Sequence, residues 1–553
     1  MTAQELRIKF THERRLTAIH VGIAMVALAV GGSLGPLQAL EHAGIDLYPP
    51  LSAVIKSYYQ GLTLHGVLNA LVWTTFFITG FLTFTTTRSL GRNLRYGWIS
   101  NLGLILMTGG LLTAAVPLLL NKATVLYTFY PPLKAHPAFY IGVTVLVVGS
   151  WVVGYSLYFT LYAWYKENHG QKVPLIALAS VITMVMWQIA TLGVAVEELT
   201  MLIPWSLGLR AGVDPQLSRS LFWFTGHPLV YFWLLPAYVS WYGMVPKQAD
   251  GKLFSDPLAR LAFFLFLVLS VPVGFHHQYA DPGVAPGWKL LHAALTYAVF
   301  VPSLLTAFNL WASLHIGGQA RGGKGLFRWI ARLPWDRPSL TAQLLAAILF
   351  LFGGTGGLIN ASYNMNLVIH NTAWVPGHFH LTVGTAVTLS FMGILYWLLP
   401  HLTGRQLWNR KVALAQAWTW FVGMIIFSRG LHQLGMAGAP RRTMLGAAAY
   451  TPAEWNVPLL IIGGGGVILF ISGALFFTNM LATVFAGKKL PAEEIVDMPV
   501  AEAYSGPEAG PAWLSHWKPW LAVTVGLIVL AYGPMLIEAF RTAEMTSPGF
   551  TLW

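Results

Sequence analysis

Thirteen apolar runs, each long enough to cross a bilayer as a helix, leave this chain little choice of fold. They fall at roughly 17–39, 58–86, 97–119, 138–164, 173–203, 219–243, 259–277, 289–315, 339–360, 373–399, 412–436, 457–485 and 517–540. Lipid offers the backbone no hydrogen-bond partner, so spans of this kind must satisfy themselves as helices. The expected fold is an all-α polytopic transmembrane bundle of about 13 spans, with residues 1–553 forming a single integral membrane unit. Its main bundle covers 17–485, an inside loop 486–516, and an additional peripheral helix 517–540. Composition agrees: 56% of residues are hydrophobic and 10% charged, more apolar surface than a soluble domain can hide. The net charge of +13 would suit nucleic acid if it formed one patch, but the basic residues follow the loops instead. With the N-terminus inside, about 23 of the 33 Lys and Arg fall on the cytoplasmic side, Arg14, Arg15, Arg88, Arg92, Arg95, Arg321, Arg328, Arg332 and Arg410 among them. This bias places the N-terminus in the cytoplasm and the C-terminus outside. Met1–Arg15 is polar and lacks the small-residue cleavage site of a secretory signal, so the first run is expected to remain as a span.

Polar groups within such spans are costly and mark function. His378 and His380 open the tenth run, and two residues of helix turn them roughly 200° apart, towards opposite flanks at one depth. His65 begins the second run, His227 the sixth, and His276 and His277 close the seventh. In the assigned orientation all six lie in the outer part of the membrane. His12, His169 and His401 are expected in loops or tails, and His292, His315 and His432 as packing or helix-end residues. The chain has no cysteine and no carboxylate close to the six, so any ligand set is nitrogen alone, which suits copper, zinc or haem iron. Disulfides, iron–sulfur clusters, thiolate copper pairs and covalent c-type haem are excluded within this chain. His276 and His277, with His227 from a neighbouring span, offer three nitrogens to one metal and leave a position open. Tyr231 lies one turn after His227 on the same face, which sets a phenol beside that metal. His65 facing His380 suits a six-coordinate haem that moves electrons, and His378 on the other face a five-coordinate haem that binds a gas.

Trp223-Phe-Thr-Gly-His-Pro-Leu-Val-Tyr231, His276-His277, Val375-Pro-Gly-His-Phe-His380 and Gly435…Pro440-Arg-Arg442 resemble subunit I of the haem–copper oxygen reductases, a likeness that covers nearly the whole chain. Leu229 stands where the commonest branch carries Glu. Together with Thr128-Phe-Tyr-Pro-Pro132 and Tyr231-Phe-Trp-Leu-Leu-Pro-Ala-Tyr238, this is similar to the B-type branch of cytochrome c oxidases. The resemblance implies His227, His276 and His277 on copper, with a covalent His227–Tyr231 link. It implies His65 and His380 on a low-spin haem, expected to be haem b, and His378 on a high-spin haem, expected to be a-type. The implied activity is a terminal respiratory oxidase that reduces dioxygen to water and moves protons outward. Four electrons are needed almost at once: two from the high-spin haem, one from copper and one from the tyrosine, a task closed to redox-inert zinc. Arg441 and Arg442, in an outside loop, would pair with haem propionates through forked hydrogen bonds, with His370 and Asn366 nearby. The partners implied are a subunit II carrying a dinuclear copper centre, a small single-helix subunit, cytochrome c as donor, dioxygen and the lipid bilayer, without nucleic acid. The implied location is the inner (cytoplasmic) membrane of a prokaryote.

Within the runs the only carboxylates are Glu197, Glu198 and Glu538, none in the inner half, so proton uptake is expected to use hydroxyls. Tyr238 and Tyr242 descend from Tyr231 along the sixth span, and Ser303 and Thr306 share a face of the eighth. Asn309 follows where the family pattern would place another hydroxyl. Asn366 stands where relatives often carry Asp, which leaves His370 or a propionate to serve in proton loading. A quinol oxidase of the same family shares all these features. A nitric oxide reductase shares the six histidines but uses iron with nearby glutamates and lacks the Tyr231 equivalent. A histidine-dependent metal or proton transporter would need midplane sites in broken helices and usually acids.

Overall fold

The computed structural model describes Glu5 and residues 9–446, 448–495 and 497–553. Thirteen long helices coincide with the apolar runs: α1 Thr11–His42, α2 Tyr58–Leu90, α3 Gly97–Leu119, α4 Pro137–Glu167, α5 Leu175–Ser206, α6 Pro215–Gly243, α7 Asp256–Leu269, α8 Pro286–Ala320, α9 Pro338–Ala361, α10 Trp374–Thr403, α11 Arg410–Met436, α12 Asn456–Ala486 and α13 Trp517–Thr542. Eleven of them are long and apolar enough to cross a membrane. The other two are α6, which carries His227 and Tyr231, and α7, which leads into the turn that bears His276 and His277. α6 carries Trp, Tyr, Pro and His along its 29 residues, and α7 has only 14.

The seventh run was expected to be helical to residue 277, but α7 stops at Leu269. Pro272 lacks an N–H, and its ring would collide with the preceding turn, so the chain leaves the helix and re-forms as a 3₁₀ turn, Gly274–Gln278. His276 and His277 ride on that turn rather than on the span. A second correction concerns His401, which lies in the last turn of α10, fully buried, not in a loop. By hydropathy alone the run ends at Leu399; the helix ends where Gly404 takes φ of +69°. His401 Nε2 accepts from Arg88 Nη2 at 3.0 Å.

Two helices widen at their histidines. In α2, π-helical turns run from Val67 to Trp73, directly after His65; in α10 they run from His380 to Val387. Thr385 and Thr388 donate their hydroxyls to the carbonyls five residues back, His380 and Val383, at 3.1 and 3.0 Å. Such bulges recur at functional sites because they turn side chains out of the helical register. α10 is the hub of the bundle: 89% of its most apolar stretch is buried, against 28% for α8 and 22% for α13, which run along the rim.

At one end of the bundle, the 486–516 segment contains a strand, β2 Ala503–Ser505, paired in parallel with β1 Leu253–Ser255. The same side holds buried acids just beyond the run boundaries: Glu13 accepts from Leu94 N at 2.9 Å, and Asp256 pairs with Arg260 at 2.5 Å.

Close contact between α11 and the first turn of α10 depends on Gly435, where a Cβ would overlap the backbone nitrogen of Trp374. Gly435→Ala is expected to cost about 1–3 kcal/mol of stability, as overpacking does. Gly464→Ala, at a position with open space around it, should leave the temperature of haem release unchanged. The two temperatures, compared in one thermal scan, check this.

Candidate haem and copper centre

His65 and His380 face each other across the bundle, their rings nearly parallel (16°) with centroids 6.5 Å apart. That is room for one metal ion at an ordinary metal–nitrogen distance of about 2 Å on each side. His65 Nδ1–H donates to Gly31 O at 2.8 Å and His380 Nδ1–H to Pro376 O at 2.7 Å, which turns both Nε2 atoms inward. Both rings line a cavity of ≈ 390 Å³ bounded by α1, α2, α10, α11 and α12. Its wall is thinned by glycine: a Cβ on Gly35 would come within 3.1 Å of the His65 ring. The donor set and the flat, apolar space fit a low-spin haem.

On the other face of α10, His378 lines a second cavity, of ≈ 170 Å³, together with His227, His276, His277 and Tyr231. The three histidines each present one ring nitrogen, and these lie within 4.8 Å of one another. His276 Nδ1–H donates to Val273 O at 2.6 Å and meets Thr296 Oγ1 at 3.0 Å, leaving its Nε2 free for a ligand. His227 Nδ1 stands 3.4 Å from His277 Nε2, and its own Nε2 is buried without a partner among the described residues. The Trp223 indole stacks on His277 at 3.7 Å and 8°. The Tyr231 ring lies 4.9 Å from that of His227, as their four-residue spacing predicts. Three imidazoles converging in a buried pocket fit copper, and the glycines 353, 354 and 357 on the His378 side leave flat space for a second haem.

Arg441 lines both cavities and Arg442 the larger. Arg441 donates to Asn371 Oδ1 at 2.8 Å, and Arg442, at φ of +66°, to Thr128 Oγ1 at 3.0 Å. Arg442 Nη2 is buried without a partner among the described residues. Burial and the Arg442 charge push Arg441 down to about 10, so this pair gains from an anion such as a propionate. His370 and Asn366 bond each other at 3.2 Å, and burial, reinforced by Arg441, pushes His370 down to about 4.

Below Tyr231, Ser303 joins the ≈ 170 Å³ cavity to a smaller one of ≈ 70 Å³, which Tyr238 and Thr306 also line. Tyr242 donates its hydroxyl to Thr306 Oγ1 at 2.7 Å. Asn309 departs from the expected series: its amide accepts from Ser255 N at 3.1 Å and donates to Ser255 O at 2.7 Å, so both ends are committed to backbone. Glu197 and Glu198 are fully buried, and Glu197 accepts from Ser218 at 2.5 Å. Sequence reasoning passed over Trp223 and Thr296 as ligand supports, although Trp223 lies four residues before His227 on the same helical face. It also left out Asp281, which pairs with Arg219 at 2.9 Å just beyond the histidine turn.

Facing imidazoles on α2 and α10, with His378 on the other face of α10 opposite a three-nitrogen cluster and a phenol, define a membrane protein shaped for two haems and a copper ion. The chain belongs to the cytochrome c and quinol oxidase polypeptide I family, whose model matches residues 15–468. It is similar to cytochrome c oxidase subunit 1 of Thermus thermophilus, 46% identical over 98% of this chain and 97% of that one. Ubiquinol oxidase subunit 1 of Acetobacter aceti is 24% identical over 85% of this chain and 70% of its own length. A heme-copper terminal oxidase dimer solved by cryo-EM superposes with a TM-score of 0.88 at 38% identity, covering 97% of this chain and 94% of that one. The chain is thus a haem–copper oxidase subunit I of the B-type branch, the catalytic, membrane-embedded subunit of a terminal oxidase that works with other subunits. The family's low-spin haem, high-spin haem and copper match the donor sets found here.

Proposed function

We propose that His65 and His380 hold the low-spin haem, His378 the high-spin haem, and His227, His276 and His277 the copper, with Arg441 and Arg442 on the propionates. The observation that carries this reading is the single cavity in which His378 faces the three-histidine cluster beside Tyr231. When bound, haem iron and copper supply the electron transfer to dioxygen. The chain's own part is to orient the ligands, keep bulk water out with an apolar wall, and deliver protons to Tyr231. Residues 1–553 act as one unit, the 17–485 bundle carrying catalysis, in a prokaryotic inner membrane with the N-terminus in the cytoplasm. Electrons come from cytochrome c through a subunit II with a dinuclear copper centre. Two things support this: the absence of cysteine from this chain and its likeness to cytochrome c oxidase subunit 1 of Thermus thermophilus. A difference spectrum of the reduced against the oxidised complex, repeated with carbon monoxide, tests the assignment. Two haem populations are expected, only one of them shifting with carbon monoxide; two shifting haems would overturn the His65–His380 pairing.

Protons reach Tyr231 along Tyr242, Thr306, Ser303 and Tyr238, a route supported by the Tyr242–Thr306 bond and the two cavities that meet at Ser303. Asn309 sits at its inner end as a backbone brace rather than a relay. Thr306→Val removes the one hydroxyl that Tyr242 donates to while keeping the side-chain shape. Turnover is expected to fall about tenfold or more, below the roughly 10²–10⁴-fold that a group transferring its proton directly to the reacting atoms contributes, with both haem bands unchanged. Oxygen consumption at saturating donor checks it, and parental turnover would remove Thr306 from the route.

A further inference from the structure

We propose that Tyr532 and His292 are positioning residues for the copper site, holding the 271–277 backbone so that His276 and His277 present their nitrogens at one fixed angle. This rests on the assignment of those histidines to copper. Once α7 ends at Leu269, the backbone groups of the next residues lose their helical partners although they are fully buried, and each must find another. Tyr532, from α13, meets two of them: its hydroxyl accepts from Gly274 N at 2.8 Å and donates to Val271 O at 3.1 Å. His292, from α8, meets a third, its Nδ1 accepting from Phe275 N at 3.2 Å. Its Nε2–H donates to Ala531 O at 3.1 Å, one residue before Tyr532, which ties the two supports together. The rings of Phe275, His292 and Tyr532 close on one another with centroids 4.3–4.9 Å apart.

The opposite side of the turn is equally confined. A Cβ on Gly274 would overlap Trp223 O and come within 2.5 Å of the Tyr532 hydroxyl, so only glycine fits between them. Trp223 then stacks on His277, while His276 is tied to Val273 O within the same turn. The two copper-side imidazoles therefore inherit their direction from a backbone held between Trp223 and Tyr532. A helix that served only to seal the rim would need no polar group here. α13 is largely exposed, yet it buries a phenol completely and aims it at this one turn. Partners of this outer kind usually change metal affinity or activity by about 10–100-fold.

The test uses the complete purified complex carrying Tyr532→Phe, His292→Leu, both together, or His292→Gln, which keeps an acceptor and a donor. Copper is counted against iron during chelator challenge, and the infrared band of carbon monoxide photolysed onto cuprous ion is recorded. Expected for Tyr532→Phe and His292→Leu are copper loss about tenfold faster and a broadened, shifted band, with the low-spin haem spectrum intact. His292→Gln should return the band towards the parent. A thermal-stability loss with parental copper retention and band in either single variant would show that α13 merely seals the bundle, and would overturn the proposal. The singles decide the matter if the double variant fails to assemble. A parent complex without copper would instead sink the ligand assignment, and the proposal with it.

Discussion

Replacing His276, a proposed copper ligand, by Leu is expected to abolish oxygen reduction while leaving the low-spin haem untouched. His276 is the most firmly aimed of the three clustered histidines, with its Nδ1 anchored to Val273 O and Thr296 Oγ1, and among the described residues no further histidine joins the cluster to take its place. Leucine fills a similar volume, so the ≈ 170 Å³ cavity should not collapse, and the loss is one of ligation rather than folding. Turnover should drop by more than the about 100-fold that follows removal of an outer partner of a metal ligand. His65 and His380 line a separate cavity, so the reduced-minus-oxidised band of the low-spin haem should keep its position and height. Carbon monoxide should still shift the haem held by His378. Copper at parental stoichiometry and activity above a tenth of the parent would mean that His276 is not a ligand.

The parts of this protein that were legible in the sequence share a physical cause. Lipid forces every span to be helical and apolar, so the thirteen runs mark the thirteen helices, most of them to within about six residues and the seventh ending eight residues early, and a histidine inside a run stands out against its background. Spacing then carried the local geometry: a two-residue step from His378 to His380 gave opposite faces, and a four-residue step from His227 to Tyr231 gave adjacent rings. What stayed hidden depends on distance along the chain. Tyr532 meets Gly274 across 258 residues, and nothing local in α13 marks that phenol as different from an interfacial anchor. Asn309 looks like a weakened relay in sequence; only the folded position of Ser255 shows that its amide is spent on backbone. The π-helical turns after His65 and from His380 leave no periodicity signal, because each shifts the register within a helix whose flanking turns look regular.

Tyr231→Phe should separate the making of the site from its use. Phenylalanine keeps the ring against His227 at 4.9 Å and against Phe266 at 5.5 Å, so copper and both haems should be retained in parental amounts. What disappears is the hydroxyl at the upper end of the proposed Tyr242–Thr306–Ser303–Tyr238 series, one of two phenols, with Tyr127, that line the ≈ 170 Å³ cavity. Removing a positioned proton donor typically costs 10²–10⁴-fold, so steady-state oxygen consumption should fall by about 10² or more. Dioxygen should still reach the reduced site at the parental rate on rapid mixing, since the cavity keeps its shape. Thr306→Val supplies the comparison, because residues on one route are non-additive while independent residues add. If Thr306 delivers its proton through Tyr231, the double variant is no slower than Tyr231→Phe alone. A double variant slower by the product of the two single effects would place Thr306 on a different path and leave Tyr231 to be supplied from elsewhere.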